Sequence, residues 1–285
     1  MTMSRQRLVT GLVLAAVAVV LISLGGLALS AAITVIIGFA VHEEFSALSK
    51  GNHRPVSWPT WVCAALGAVL VGYLDGGISV VAVLLILGAM ATLLCVTFRF
   101  SHGGEDTNGP RLEDGVMSLI PLFSVVLPGL GVMMLTHTEP RALQVMLILL
   151  LLAVPCVGDI FAMLVGSMVG GPKLCPAVSP KKTVSGAIGG LLGSILAAML
   201  VCLLTHLIAA DASSVLRAWW ECLLLGLVGG VAAQAGDLFA SMVKRHCGIK
   251  DFSNLFPGHG GMLDRFDSIF FMALIMLGYR LLVTL

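Results

Sequence analysis

Long apolar runs, separated by short polar breaks, dominate the chain. In order they cover about 8–24, 27–42, 60–74, 77–98, 116–135, 141–158, 184–208, 215–242 and 267–285. Most approach the ~20 apolar residues that a helix needs to cross a bilayer. They are continuous rather than alternating, and an open strand leaves its backbone unsatisfied in lipid, so helices are predicted. The pattern predicts an all-α fold: a polytopic integral membrane helical bundle of about nine transmembrane helices. The third run is short, and glycines border the second. Arg5 and Arg7 before LVTGLVLAAVAVVLISL resemble a signal peptide, with ALSAA imitating a cleavage site. The run exceeds the usual signal core and more apolar sequence follows at once, which favours an uncleaved first span.

The basic residues orient these helices. With a cytoplasmic N-terminus and every run crossing, thirteen of the sixteen Lys and Arg fall inside, and only Arg141, Arg217 and Arg280 fall outside or near the far interface. That is a strong positive-inside bias. Composition agrees: 58% hydrophobic and 11% charged residues exclude an ordinary soluble domain. A net charge of +1 argues against a nucleic-acid partner, which needs a basic face. The seven cysteines are scattered without a CxxC pair, so they suggest neither zinc nor a disulfide framework. No internal repeat or second soluble domain is visible. The acidic, Gly-rich stretch 101–115 reads as a flexible connector.

Unusual polarity is concentrated in two cytoplasmic loops, 159–183 and 243–266. Asp237 lies in an apolar helix, where a charge at mid-bilayer costs about 2.5–3.5 kcal/mol on insertion scales. Ser241 and Lys244 follow at i+4 and i+7, on the same helical face. The stripe suits a site or an Asp–Lys pair that holds helices together. Next comes FPGHGGMLDRFD at 256–267. Asp264 and Asp267 are three apart at a helix start, where capping alone would explain them; Gly258, Gly260 and Gly261 could form only a turn, and His259 only a loop contact. Together the set says more. Asp237, Asp264 and Asp267 offer the hard oxygens that Mg²⁺ takes. Lys244, Arg245, Lys250 and Arg265 match phosphate oxygens, and the glycines allow close backbone approach. The other loop, GGPKLCPAVSPKKTVSGAIGG at 170–190, adds Lys173, Ser179, Lys181, Lys182 and Thr183 before a helix start. Asp159 stands at the end of the sixth run. Acid, base and glycine at a membrane edge are what metal-assisted phosphoryl or nucleotidyl transfer requires.

Ser241-x-x-Lys244-Arg245, Lys250-Asp251-x-Ser253, Phe256-Pro257-x-His259-Gly260-Gly261 and Asp264-Arg265-x-Asp267 run without a gap over 27 residues. They resemble the motif of phosphatidate cytidylyltransferases (CDP-diacylglycerol synthases). GDLF at 236–239, SPKKT at 179–183 and Asp159 with Ala162 and Gly166 fit the same family. The first half carries no specific motif, so the expected organisation is 1–115, N-terminal membrane helices, and 116–285, a catalytic membrane region.

The resemblance implies condensation of CTP with phosphatidic acid to CDP-diacylglycerol and pyrophosphate, at the cytoplasmic face of the inner membrane. It implies Mg²⁺, with a second cation whose identity stays open, and a capacity to form dimers. Asp237 and Asp264 match the metal-binding aspartates, with Asp267 in support. Lys244, Arg245, Ser179, Lys182 and Thr183 match nucleotide and phosphate positions, as does the His259, Gly260, Gly261 and Arg265 stretch. Two segments depart: Val184-Ser185-Gly186 replaces the family's Trp-Glu-Gly, and Met163 replaces an aromatic. The alternatives are a CTP-dependent kinase acting on a polyprenol or similar lipid alcohol and, ranked far lower, a transporter coupled through Asp237.

Overall fold

The computed structural model describes residues 13, 16–17, 19–74, 76–102, 112–208, 219–256, 258 and 260–284. Helix α1 spans Gly26–Lys50, α2 Trp58–Gly72, α3 Ile78–His102 and α4 Leu112–Pro121; a π-turn at Leu122–Val126 leads into α5, Leu127–Leu135. Helix α6 spans Arg141–Val169. A hairpin of β1 (Lys173–Cys175) and β2 (Ser179–Thr183) follows, then α7 (Val184–Ile208), α8 (Trp219–His246) and α9 (Leu263–Thr284). Among the described residues, seven helices are long and apolar enough to cross a bilayer, counting α4 to α5 as one, and α2, with 15 residues, is a shorter apolar helix. The chain is thus a nearly all-α integral membrane protein. Of the expected run 8–24, residues 8–12, 14–15 and 18 lie outside the described residues, as do most of 101–115.

Several boundaries differ from those expected. Helix α1 continues beyond residue 42 through Glu43 and Glu44, because Phe45, Ala47 and Leu48 stay buried on the same helix. Helix α6 continues past 158 to Val169, so Asp159 sits within a helix rather than at its end. The SPKKT stretch is the second strand of a hairpin, with Lys173 opposite Thr183 and Cys175 opposite Ser179. The π-turn precedes Pro128, which has no N–H to give; the Leu127 N–H reaches back five residues to the Leu122 carbonyl.

The chain divides into two compact units. One comprises Met1–Met134 with Lys244–Arg265, the other Leu135–Val243 with Phe266–Leu285. In the first, Ile37 and Leu130 fill space left by glycines: a Cβ at Gly129 would lie 2.5 Å from Ile37 Cγ1, and one at Gly67 2.5 Å from Leu130 Cδ1. In the second, α6 and α7 meet along a glycine face. A Cβ at Gly189 would lie 2.5 Å from Val165 Cβ, and one at Gly193 2.6 Å from Phe161 Cβ. Lipid supplies no hydrophobic drive between helices, so such close backbone approach is what holds a pair together.

Candidate active site

In the second unit, Thr183 ends β2 and caps α7: its Oγ1 accepts the Gly186 N–H at 3.1 Å. The Val184 N–H reaches the Pro172 carbonyl at 3.0 Å. Ser185 donates to the Gly170 carbonyl and lies 3.1 Å from Thr183 Oγ1. The small Ser185 hydroxyl therefore ties the hairpin base to the helix start.

Anchored in this way, Lys182 forms an ion pair with Asp237 of α8, both side chains being a little over one-quarter exposed. Ser241 lies 3.5 Å from Asp237, at the limit of a hydrogen bond. Beside the hairpin opens a cleft of about 400 Å³. Its polar lining includes Asp159, Lys181, Lys182, Thr183 and Gln234, and Ala162, Met163, Leu174 and Ala187 supply apolar wall. Gln234 donates to the Ala187 carbonyl at 3.0 Å. Asp267, also in this unit, accepts the Ser268 N–H at 2.6 Å in the second turn of α9.

In the first unit, the end of α8 meets the loop before α9. Lys244 is buried and donates to Asp264 Oδ1 at 2.7 Å. Its ammonium also lies 5.3 Å from the centre of the buried Phe252 ring, a cation–π contact. Asp264 Oδ2 accepts the N–H of Phe252 at 2.8 Å and of Gly261 at 2.9 Å. One carboxylate thus closes the loop, which also pairs the Phe256 N–H with the Gly260 carbonyl at 2.9 Å. Gly260 has φ +82°, and a Cβ there would meet Asp264 Oδ2 at 2.8 Å. Glycine is required by conformation and by space. Arg245 is exposed and donates to the Ile249 carbonyl at 3.2 Å, while Arg265 is exposed. His259 lies outside the described residues.

The sequence-predicted residues fall into these two clusters. Asp237, Lys182, Thr183 and Asp159 gather in one, with Ser179 starting β2; Lys244, Asp264, Gly260 and Gly261 gather in the other. The expected partners differ: Lys182 pairs with Asp237, and Lys244 pairs with Asp264.

Two residues were missed. Gln234 sits three before Asp237 in an apolar helix, where nothing in its spacing marks it out. Glu43 accepts three hydrogen bonds from the signature loop, from Ser253, Met262 and Leu263. Its signal was the Glu-Glu pair followed by FSAL, which a hydropathy cut at 42 assigned to a loop.

Among the described residues, no set of three or more His, Cys, Asp or Glu side chains converges on one point. The donor chemistry still fits Mg²⁺, which commonly takes one or two carboxylates and completes its shell with water and phosphate oxygens. Asp237 and Asp264 each face one ammonium, so each carboxylate already stands opposite a cation.

Comparison with known proteins gives concordant results. A model of the Cytidylyltransferase family matches residues 5–283. A Synechocystis protein named phosphatidate cytidylyltransferase is 31% identical over 95% of this chain and 94% of its own length. A Brucella abortus protein of the same name is 32% identical over 93% and 88%. One from Staphylococcus saprophyticus is 37% identical over about half of each chain, 53% and 54%.

Proposed function

The chain belongs to the cytidylyltransferase family and is a nucleotidyltransferase, and from that premise we propose that it makes CDP-diacylglycerol and pyrophosphate from CTP and phosphatidic acid. The observation that carries the lipid half of this reading is the cleft beside the hairpin, which sets Lys181 and Lys182 against apolar Met163, Leu174 and Ala187. A lipid phosphate needs that combination: cations for the headgroup and apolar wall for the chain.

In the reaction, an oxygen of the phosphatidate phosphate attacks the α-phosphorus of CTP. The new P–O bond forms as the bond from the α-phosphorus to the β-phosphate oxygen breaks, and pyrophosphate leaves with the electron pair. The attacking phosphate is already anionic near neutral pH, so no side chain need act as base. What the residues contribute is position and charge. Lys182 and Lys244 orient Asp237 and Asp264, and phosphate oxygens compete for the more exposed Lys182 ammonium as substrate enters. Arg245 and Arg265 add exposed positive charge, with Ser179, Thr183, His259, Gly260 and Gly261 assigned to the nucleotide. Asp237 and Asp264, supported by Asp267, are the residues that would hold Mg²⁺; a bound ion would supply neutralisation of charge on the phosphate oxygens. The positive-inside bias assigns both polar loops to the cytoplasmic side of the inner membrane, where CTP is found.

The test uses purified protein in detergent with Mg²⁺, phosphatidic acid and CTP labelled at the α-phosphate. Label in the lipid phase with one pyrophosphate per labelled lipid, lost in Lys182→Ala, is the expected result. Label from the γ-phosphate on a polyprenol would identify a lipid kinase instead. Transfer to no lipid would overturn the proposal.

A further inference from the structure

We propose that Glu43, contributed by α1 far from the motif in sequence, is a positioning residue that sets the form of the 252–263 loop and through it the Lys244–Asp264 pair; this rests on the cytidylyltransferase reading above. The Glu43 side chain is buried, at 4% exposure. Its Oε1 accepts the Ser253 hydroxyl at 2.6 Å and the Met262 N–H at 2.9 Å, and its Oε2 accepts the Leu263 N–H at 2.8 Å. Asp264 binds the same loop from the other side, through the N–H groups of Phe252 and Gly261. Two carboxylates therefore grip adjacent residues at both loop ends: 252 and 253 at one, 261, 262 and 263 at the other.

Gly261 shows that the grip is built into the loop. A Cβ there would lie 2.5 Å from Glu43 Oε2 and 2.7 Å from its Cδ, so only glycine leaves room for this carboxylate. The donors are a hydroxyl and two amides at the start of a 22-residue helix, the positive end of its dipole. Among the described residues, no hydrogen bond or ion pair joins Glu43 to Lys244 or to the Asp264 carboxylate. Its action is indirect: it fixes Met262 and Leu263, which flank Gly261 and Asp264, and Asp264 in turn fixes Lys244.

Glu43→Gln preserves size but replaces one accepting oxygen with an N–H donor, so at least one of the backbone amides loses its partner. Supporting groups of this kind change ligand affinity or activity by roughly 10–100-fold. Expected for Glu43→Gln is an increase in the KM for CTP of roughly tenfold or more, a matching increase in the Mg²⁺ needed for half-maximal rate, and an unchanged KM for phosphatidate. Glu43→Asp, which keeps the charge, recovers part of the change. Hydrogen–deuterium exchange without substrate supplies a second readout: the Met262 and Leu263 amides exchange faster in Glu43→Gln, while amides elsewhere in α9 do not. A merely structural role would lower the yield of active protein with both KM values unchanged, and that result would overturn the proposal; so would unchanged exchange at the two amides. If Glu43→Gln fails to fold, Ser253→Ala removes one of the three donors, and a smaller rise in the KM for CTP is expected, no rise counting against the idea. A wild-type protein that transfers nothing from CTP defeats the functional reading alone, because the exchange measurement still decides whether Glu43 holds the loop.

Discussion

The two lysine–carboxylate pairs share a chemistry and differ in their surroundings. Lys182 and Asp237 are 29% and 27% exposed, one on a hairpin strand and one on a helix, and beside the hairpin lies an open cleft. Lys244 and Asp264 are 11% and 4% exposed, with Phe252 against the ammonium and two backbone amides on the carboxylate. An exposed pair adds at most about 1 kcal/mol to stability, since water screens both charges. Removing one partner of a buried pair leaves a charge without compensation and costs about 3–5 kcal/mol. The first pair can exchange its partner for a ligand at little cost to the fold. The second is part of the fold itself.

Mutation should separate them, and the largest effect is expected at the buried pair. Asp264→Ala should abolish lipid labelling and lower stability by about 3–5 kcal/mol, read as a lower thermal midpoint in detergent. A normal midpoint would show that the pair is not the structural element its burial implies. Lys182→Ala should reduce turnover by about 10²–10³, the range for losing one stabilising donor in a reacting site, with the midpoint nearly unchanged. If both variants lose stability equally, the contrast fails. Gly261→Ala should cost about 1–3 kcal/mol, since its Cβ overlaps Glu43 and something must shift.

The smallest effect needs no mutation. Burial, reinforced by the charge of Glu44, pushes the Cys247 thiol up, whereas Cys175 on the hairpin is partly exposed. The sign follows: a raised pKa keeps Cys247 protonated as pH rises, and the thiolate is the reactive form. At pH 8.5 iodoacetamide should label Cys175 and leave Cys247 unmodified, as mass spectrometry of the peptides would show.

The membrane character and the candidate site residues were legible because hydropathy and residue chemistry are local. Asp237, Lys182, Lys244 and Asp264 could all be named from sequence. Their partners could not. The Lys182–Asp237 contact joins residues 55 positions apart through a hairpin that SPKKT, five residues with a proline, does not announce by alternation. Glu43 was invisible for a related reason: a hydropathy window ends a helix at the first charges, while the chain ends it only where burial and hydrogen bonding stop. Helix α6 shows the same effect, because Asp159 reads as an ending and the glycine face of α7 carries the helix on to Val169.

The loop around Gly260 and Gly261 has one more consequence, for anyone who would move it. Its 27-residue motif looks like a portable cassette, continuous and self-contained in sequence. Yet three of its donors are matched by an acid some 210 residues upstream. Grafted onto another membrane scaffold, the cassette would arrive with a hole at Gly261 and no acid to fill it. A transplant would have to bring the Glu43 turn of α1 as well, which makes the two distant segments a single unit of inheritance.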